Sequence, residues 1–248
     1  MIEPGVLTYV RNGTCAVGYL TVPLEEYTKD PRRPYFKVMG TGFLVRPTSV
    51  ITNRHVIEAL GEIQADLGFP DKQRMIMFVA PDQQSVLNVV VRMIQGLGTV
   101  AHPDLDVGFV DFQREPESQL ADIKPLKIHD QWDIKVSEHI GVCGYPYGHT
   151  MLQRDGRVYR WGPVVQQGYI SAVSPFDMSA TPDEVLLDIR IAGGMSGAPI
   201  FRPRNGQVVG IVHSAWEATT ALGLPLTESL VNTWLSAYDS RKAQPVSF

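Results

Sequence analysis

The sequence predicts an all-β fold, two six-stranded antiparallel β-barrels followed by a C-terminal helix, and three observations carry that prediction. Short apolar runs rich in valine and aromatic residues recur along the whole chain, each bounded by turn residues. The 22 glycines and 18 prolines among 248 residues exceed the roughly 12% combined share of average proteins, as a turn-rich fold requires. The runs number about a dozen, too many for one small barrel and enough for two.

Taken in order, strands are expected near residues 6–10, 15–23, 35–45, 74–80, 86–94, 107–112, 138–143, 164–173, 184–191, 199–201, 207–213 and 222–226. The segment from Gln113 to Lys135, with Pro116, Pro125 and many charges, has the composition of a crossover between halves. The chain then divides into a first barrel over 1–115, a crossover over 116–135, a second barrel over 136–226 and a helix with tail over 227–248. Only two helices are expected. One is short and runs from Val56 to Leu60, just after His55. The other opens at Thr227, a Ser/Thr-type cap, with an acid at Glu228 and apolar Leu230, Val231, Trp234, Leu235 and Tyr238 on one face.

Composition narrows the function classes. With 44% apolar and 19% charged residues the chain has material for a core and is no disordered tail. A net charge of −4 lacks the basic footprint of a nucleic-acid binder. The opening Met1-Ile2-Glu3-Pro4-Gly5 shows neither a basic leader nor an apolar h-region, and nowhere do eighteen apolar residues run together. The expectation is a soluble, cytoplasmic protein with no membrane partner, although a mature fragment of a secreted precursor would read the same. Two cysteines, Cys15 and Cys143, are too few for a disulfide framework or a zinc site and are expected as small buried thiols. His102, His129, His139 and His149 lack metal-ligand spacing and read as surface or packing residues, so neither metal nor cofactor is expected.

The most informative segment is Ile191-Ala192-Gly193-Gly194-Met195-Ser196-Gly197-Ala198-Pro199-Ile200. A serine among glycines, between two strands, sits on a loop whose backbone can take special dihedrals and direct N–H groups to one point. An acyl-transfer nucleophile needs that arrangement, together with a histidine to take its proton and an acid to hold the histidine's tautomer. His55 ends the run Val50-Ile51-Thr52-Asn53-Arg54-His55, where a strand gives way to a helix. For the acid, Asp106 heads the strand Val107-Gly108-Phe109-Val110, with Asp104 as the same-face competitor two residues earlier.

These three motifs, in this chain order, resemble the trypsin-like serine proteases of the double-barrel fold, and among them the HtrA (Deg) branch, over roughly residues 35–226. Gly141-Val142-Cys143-Gly144-Tyr145-Pro146-Tyr147-Gly148, Gln167-Gly168-Tyr169-Ile170-Ser171 and Gly210-Ile211-Val212 resemble further landmarks of the family. The resemblance implies a serine endopeptidase acting on protein or peptide through an acyl-enzyme. Ser196 would be the nucleophile, His55 the base and then acid, and Asp106 the group that orients the imidazole. The N–H groups of Gly194 and Ser196 would form the oxyanion hole. It also places Arg190 at the floor of the pocket for the residue preceding the cut, where a buried guanidinium would favour an acidic side chain. The alternative is that Arg190 pairs with Asp188 on the strand surface. His213, followed by Ser214 and Ala215, lies on the pocket-wall strand, its register one residue off from relatives that use a histidine there.

Departures from the family pattern carry their own expectations. Met195 stands where digestive relatives have an aspartate that pairs with a freshly cut N-terminus, and no activation-cleavage sequence occurs near residues 30–40. Ala198 replaces the usual glycine after the nucleophile, and no chain remains beyond Phe248 for the PDZ domain of many relatives. Control by an activating protein partner or assembly that orders the loops is therefore expected. Two rival readings exist. An α/β-hydrolase would need acid and then histidine after the serine, whereas His213 precedes Asp239. The other is a catalytically silent protease fold kept for binding or scaffolding; against it, all three catalytic residue types and the glycine framework are retained, so peptide-bond cleavage is the favoured reading.

Overall fold

The computed structural model describes residues 2–30, 33–67, 74–81, 89–112, 123–146, 153–154, 157–158, 162–177, 179–216 and 220–242. The chain begins with α1 (Pro4–Gly13), β1 (Thr14–Leu20) and α2 (Leu24–Lys29). Next come β2 (Phe36–Arg46), β3 (Ser49–Thr52), α3 (Arg54–Leu67), β4 (Arg74–Pro81), β5 (Val89–Ala101) and β6 (Gly108–Phe112). The second half holds β7 (His139–Gly144), β8 (Gln153–Arg154), β9 (Arg157–Val158), β10 (Val164–Ser174) and β11 (Glu184–Leu187). It ends with β12 (Pro199–Phe201), β13 (Val208–Trp216), β14 (Thr220–Pro225) and α4 (Glu228–Lys242).

The first sheet runs β1-β2-β3-β6-β5-β4, all antiparallel, and β4 pairs back onto β1 from Cys15 opposite Phe78 to Tyr19 opposite Arg74. The second runs β10-β11-β14-β13-β12-β7 and closes into a six-strand barrel through β7 and β10; β8 and β9 pair only with each other. Among the described residues no helix is long and apolar enough to cross a membrane.

Three differences from the sequence expectation have physical causes. Residues 6–10, expected as a strand, lie in α1. Val6, Thr8 and Val10 alternate, but Ile2, Val6 and Val10 are also four apart. Pro4 in the first turn, the Leu7 N–H bonded to the Glu3 carbonyl and burial of Val10 favour the helix. The six-residue α2 escaped notice because only Tyr27 of it is buried. β11 stops at Leu187 instead of running to Ile191, because Asp188 Oδ1 turns to accept the Tyr169 N–H at 2.5 Å. The helix expected over 56–60 extends through Leu67 as α3, and α4 opens where expected, with Thr227 Oγ1 accepting the Leu230 N–H. Residues 86–88 of an expected strand and 113–122 of the crossover lie outside the described residues, as do Tyr147, Gly148, His149 and the tail from 243.

One apolar core joins the halves. Phe43, Ile51 and Phe109 of the first sheet meet Cys143, Phe201, Val208 and Ile211 of the barrel, with Val10 of α1, Leu126 of the connecting segment and Leu235 of α4 around them. At about 1.5–3 kcal/mol for each large side chain removed from water, this shared core is a main attraction between the halves. Both cysteines are buried, as expected. Burial pushes the Cys143 thiol up to about 12, so it stays protonated and unreactive. The connecting segment is also held by charge: Arg202, its side chain 4% exposed, donates to Glu138 and Asp133. Burial disfavours the guanidinium charge, and these two carboxylates more than offset it.

The halves approach closely at Gly197. A Cβ there would stand 1.9 Å from the Thr41 carbonyl oxygen, and its φ of +89° already favours glycine. Gly197→Ala should therefore lower stability by on the order of 3 kcal/mol, read as a reduced midpoint in urea unfolding. Arg202→Met should cost about 2–4 kcal/mol in the same assay, because it leaves Glu138 and Asp133 without their shared partner.

Candidate active site

His55 is brought to the cleft by the end of β3. Thr52 closes that strand opposite Gly108 of β6, and the chain turns into α3 two residues later. The turn is held from inside by Asn53, fully buried, whose side-chain amide donates to the Asp106 carbonyl at 2.8 Å. Arg54 reaches the same loop from the other side and donates to the Pro103 carbonyl at 2.6 Å. Within that loop His102 Nδ1 accepts the N–H groups of Asp104 and Leu105, and its ring lies against Trp234. His102 thus shapes the loop that carries the acid.

Asp106 grips His55 twice. Oδ1 accepts the His55 backbone N–H at 3.0 Å, and Oδ2 lies 2.8 Å from ring Nδ1. The side chains are 28% and 48% exposed, so the imidazole is open to solvent on its far side. Burial pushes the Asp106 carboxyl up, but the ring and backbone hydrogen bonds from His55 and the nearby charges of His55 and His213 prevail, holding it below its ordinary value of 3.8. The group is ionised at neutral pH. Its stabilising effect is fully present above that ordinary value and is lost as pH falls through the lowered one. An ionised acceptor on Nδ1 selects the tautomer with hydrogen on Nδ1 and leaves Nε2 as a base. Asp104, the competing acid, lies exposed, and its side chain makes no hydrogen bond or ion pair among the described residues.

Ser196 sits on a loop fixed from both sides. Gly197 donates its N–H to the Val212 carbonyl at 2.8 Å, and Val212 donates back to Ala198 at 2.9 Å, tying the loop to β13. The Ser196 carbonyl accepts the Thr41 N–H of β2 at 2.7 Å. Met195 is fully buried in the barrel core, so an apolar anchor occupies the position next to the serine. Gly194 takes φ +94°, and among the described residues the N–H groups of Gly194 and Ser196 donate to no protein acceptor. The Ser196 hydroxyl makes no hydrogen bond to the His55 ring.

The residues expected around the pocket divide. His213 follows Val212 at the β13 bulge, and its Nε2 lies 2.8 Å from Glu184 Oε1, an acid that nothing in the alternating β11 pattern singles out. Ser214 and Ala215 continue β13 opposite Leu222 and Ala221. Arg190 is exposed, not buried, and it forms no ion pair with Asp188, whose carboxylate is taken by Tyr169. Neither reading of Arg190 from sequence matches that placement. Asn53 and Thr41 were missed as well. Both are buried polar residues beside glycines or strand ends, a pattern that marks hydrogen-bonding duty without saying to what.

Against known proteins, the family model of the trypsin-like peptidase domain matches residues 40–211, which hold His55, Asp106 and Ser196. The chain is similar to the glutamyl endopeptidase of Staphylococcus epidermidis, 25% identical over 175 residues that cover 69% of this chain and 52% of that protein. It therefore spans about half the length of the curated relatives it matches. In fold it is similar to the protease Rv3671c from M. tuberculosis in its active form (TM-score 0.55, 19% identity, 95% of this chain and 86% of that one). The same holds for the serine endoprotease from Yersinia pestis (TM-score 0.56, 16% identity, 96% and 64%). A third match is the HtrA-type protease AlgW with tripeptide (TM-score 0.57, 14% identity, 93% and 62%). With more than half of its length under the family model, and that half containing the gripped histidine, its acid and the glycine-flanked serine, the chain belongs to the trypsin-like peptidase family.

Proposed function

We propose that the chain is a serine endopeptidase in which Ser196, His55 and Asp106 act as a triad. The observation that carries this reading is the double grip of Asp106 on His55, which leaves Nε2 as the one ring nitrogen available to a nucleophile. Ser196 Oγ attacks the scissile carbonyl carbon while His55 Nε2 takes its proton. The same imidazolium then protonates the leaving amine, and water hydrolyses the acyl-enzyme by the reverse sequence. The free N–H groups of Gly194 and Ser196 support an oxyanion hole, each donor worth roughly 3–4 kcal/mol at the transition state. The return of β4 onto β1 supports reading the first sheet as the other barrel of a double-barrel enzyme, divided by the crossover at 116–135.

Two finer points follow. The missing hydrogen bond between Ser196 and His55 favours an enzyme completed by substrate or by a protein partner. It is also the single observation on the side of a silent binding protein. The substrate reading is an acidic side chain before the cut. Its supports are the likeness to a glutamyl endopeptidase and the carboxylate already held by His213.

A fluorophosphonate probe should label Ser196 in the purified chain. Labelling should vanish in Ser196→Ala, and His55→Ala should slow it by about a thousand-fold or more. An unlabelled protein that stays unlabelled across candidate partners would leave the binding reading. In peptide-library cleavage, His213→Ala should reduce the preference for Glu and Asp before the cut by about 10-fold, and an unaltered profile would remove His213 from the pocket.

A further inference from the structure

We propose that the Thr41 hydroxyl is a positioning group that sets the oxyanion-hole segment Gly194 to Ser196, an inference that rests on the reading of Ser196 as nucleophile. Thr41 lies in β2 and is fully buried between Gly40 and Gly42. Its hydroxyl donates to the Gly194 carbonyl at 2.7 Å and accepts the Tyr145 N–H at 3.0 Å. Its own N–H donates to the Ser196 carbonyl at 2.7 Å, and its carbonyl accepts Thr52 Oγ1 at 2.7 Å. One residue of the first sheet thereby holds the carbonyls of both residues whose N–H groups would face the oxyanion.

The backbone bond to Ser196 needs only a main chain and would survive any substitution. The side-chain bond to Gly194 does not. The Gly194 carbonyl belongs to the Gly194–Met195 peptide, which links the two peptides carrying the Gly194 and Ser196 N–H groups. Inside the loop its Met195 N–H donates to the Ala192 carbonyl at 3.1 Å, but Gly194, at φ +94° and without a side chain, restrains it little, so the carbonyl itself needs a hold from outside the loop. The hydroxyl supplies that hold. It is itself aimed by a β-branched side chain with few rotamers and by close quarters, since a Cβ on Gly144 would lie 2.9 Å from Thr41 Oγ1. Its second bond, from Tyr145, ties the clamp to the end of β7. Removing the hydroxyl leaves a partly buried carbonyl and a buried N–H without their partner, and turning the Gly194 peptide is the available way to find a replacement. Turning that linking peptide changes ψ at Gly194 and φ at Met195 and so displaces the N–H groups of Gly194 and Ser196 on either side of it, which weakens transition-state binding and leaves ground-state binding alone.

The test compares Thr41→Val, which keeps shape and removes the hydroxyl, with Thr41→Ser, which keeps it, and with the milder Thr41→Ala in case the valine variant does not fold. In folded Thr41→Val, kcat and the rate of fluorophosphonate labelling at Ser196 should fall by about 10-fold or more with KM within about 2-fold. Affinity for a peptide boronic acid, which forms a tetrahedral adduct, should fall in step, while a cleaved product peptide binds as before. Thr41→Ser should recover most of the rate. Unchanged kcat in Thr41→Val or Thr41→Ala, with wild type active, overturns the inference and spares the triad. Equal losses in the valine and serine variants overturn it too. A wild type with neither turnover nor labelling tells against the triad. The clamp is then read from the ¹⁵N amide resonances of Gly194 and Ser196, which should move in Thr41→Val and return in Thr41→Ser; resonances that stay put in Thr41→Val would overturn it.

Discussion

The site depends on one close contact between backbones, the approach of Gly197 to the Thr41 carbonyl, where no side chain fits. From that contact the rest of the geometry can be traced strand by strand. Thr41 belongs to β2, which pairs with β3 through Phe43 opposite Ile51 and Leu44 opposite Val50. β3 in turn pairs with β6 and ends at Thr52, and α3 follows with His55 in its first turn. The distance between serine and histidine is therefore set by backbone spacing across β2 and β3. A side chain at Gly197 would push the halves apart, and Ser196 would move with one half and His55 with the other.

Charge is arranged around the same contact with few groups. Asp106 is held to His55 through direct hydrogen bonds and is influenced by the nearby His213, which is itself held by Glu184. The Asp106 carboxyl stays ionised at neutral pH despite its partial burial, because the hydrogen bonds from His55 favour its charged form. The second ionic group, Arg202 with Glu138 and Asp133, lies at the opposite end of β12 and serves the connecting segment. The two networks share no residue, so loss of the Arg202 group acts on stability without passing through His55.

Much of this was legible from the chain itself, and the misses have a common form. Strand alternation located the sheets, yet over residues 6–10 alternation and four-residue spacing coincide, and only the core beneath Val10 selects the helix. The motif around Ser196 marked a glycine-framed loop between strands, yet neither expectation for Arg190 anticipated that Asp188 would turn to the Tyr169 N–H. Glu184 sits in an ordinary alternating strand, and no local feature separates it from any other surface acid. Thr41 carries a hint, a polar residue between two glycines ahead of an apolar run, but a hint of burial only.

By itself the sequence determined the residue types, their order along the chain and the glycine-framed loop at Ser196, because these depend on backbone preferences that act over a few neighbouring residues. It also fixed which faces of the strands would be apolar. The tertiary structure decided which acid meets His55, Asp106 over Asp104, and that His213 turns to Glu184 while Arg190 faces solvent. It also decided that one buried threonine touches both ends of the Gly194-Met195-Ser196 segment. Those pairings join residues on different strands and different sheets. They are set by register, bulges and the docking of two cores, which no window of sequence contains.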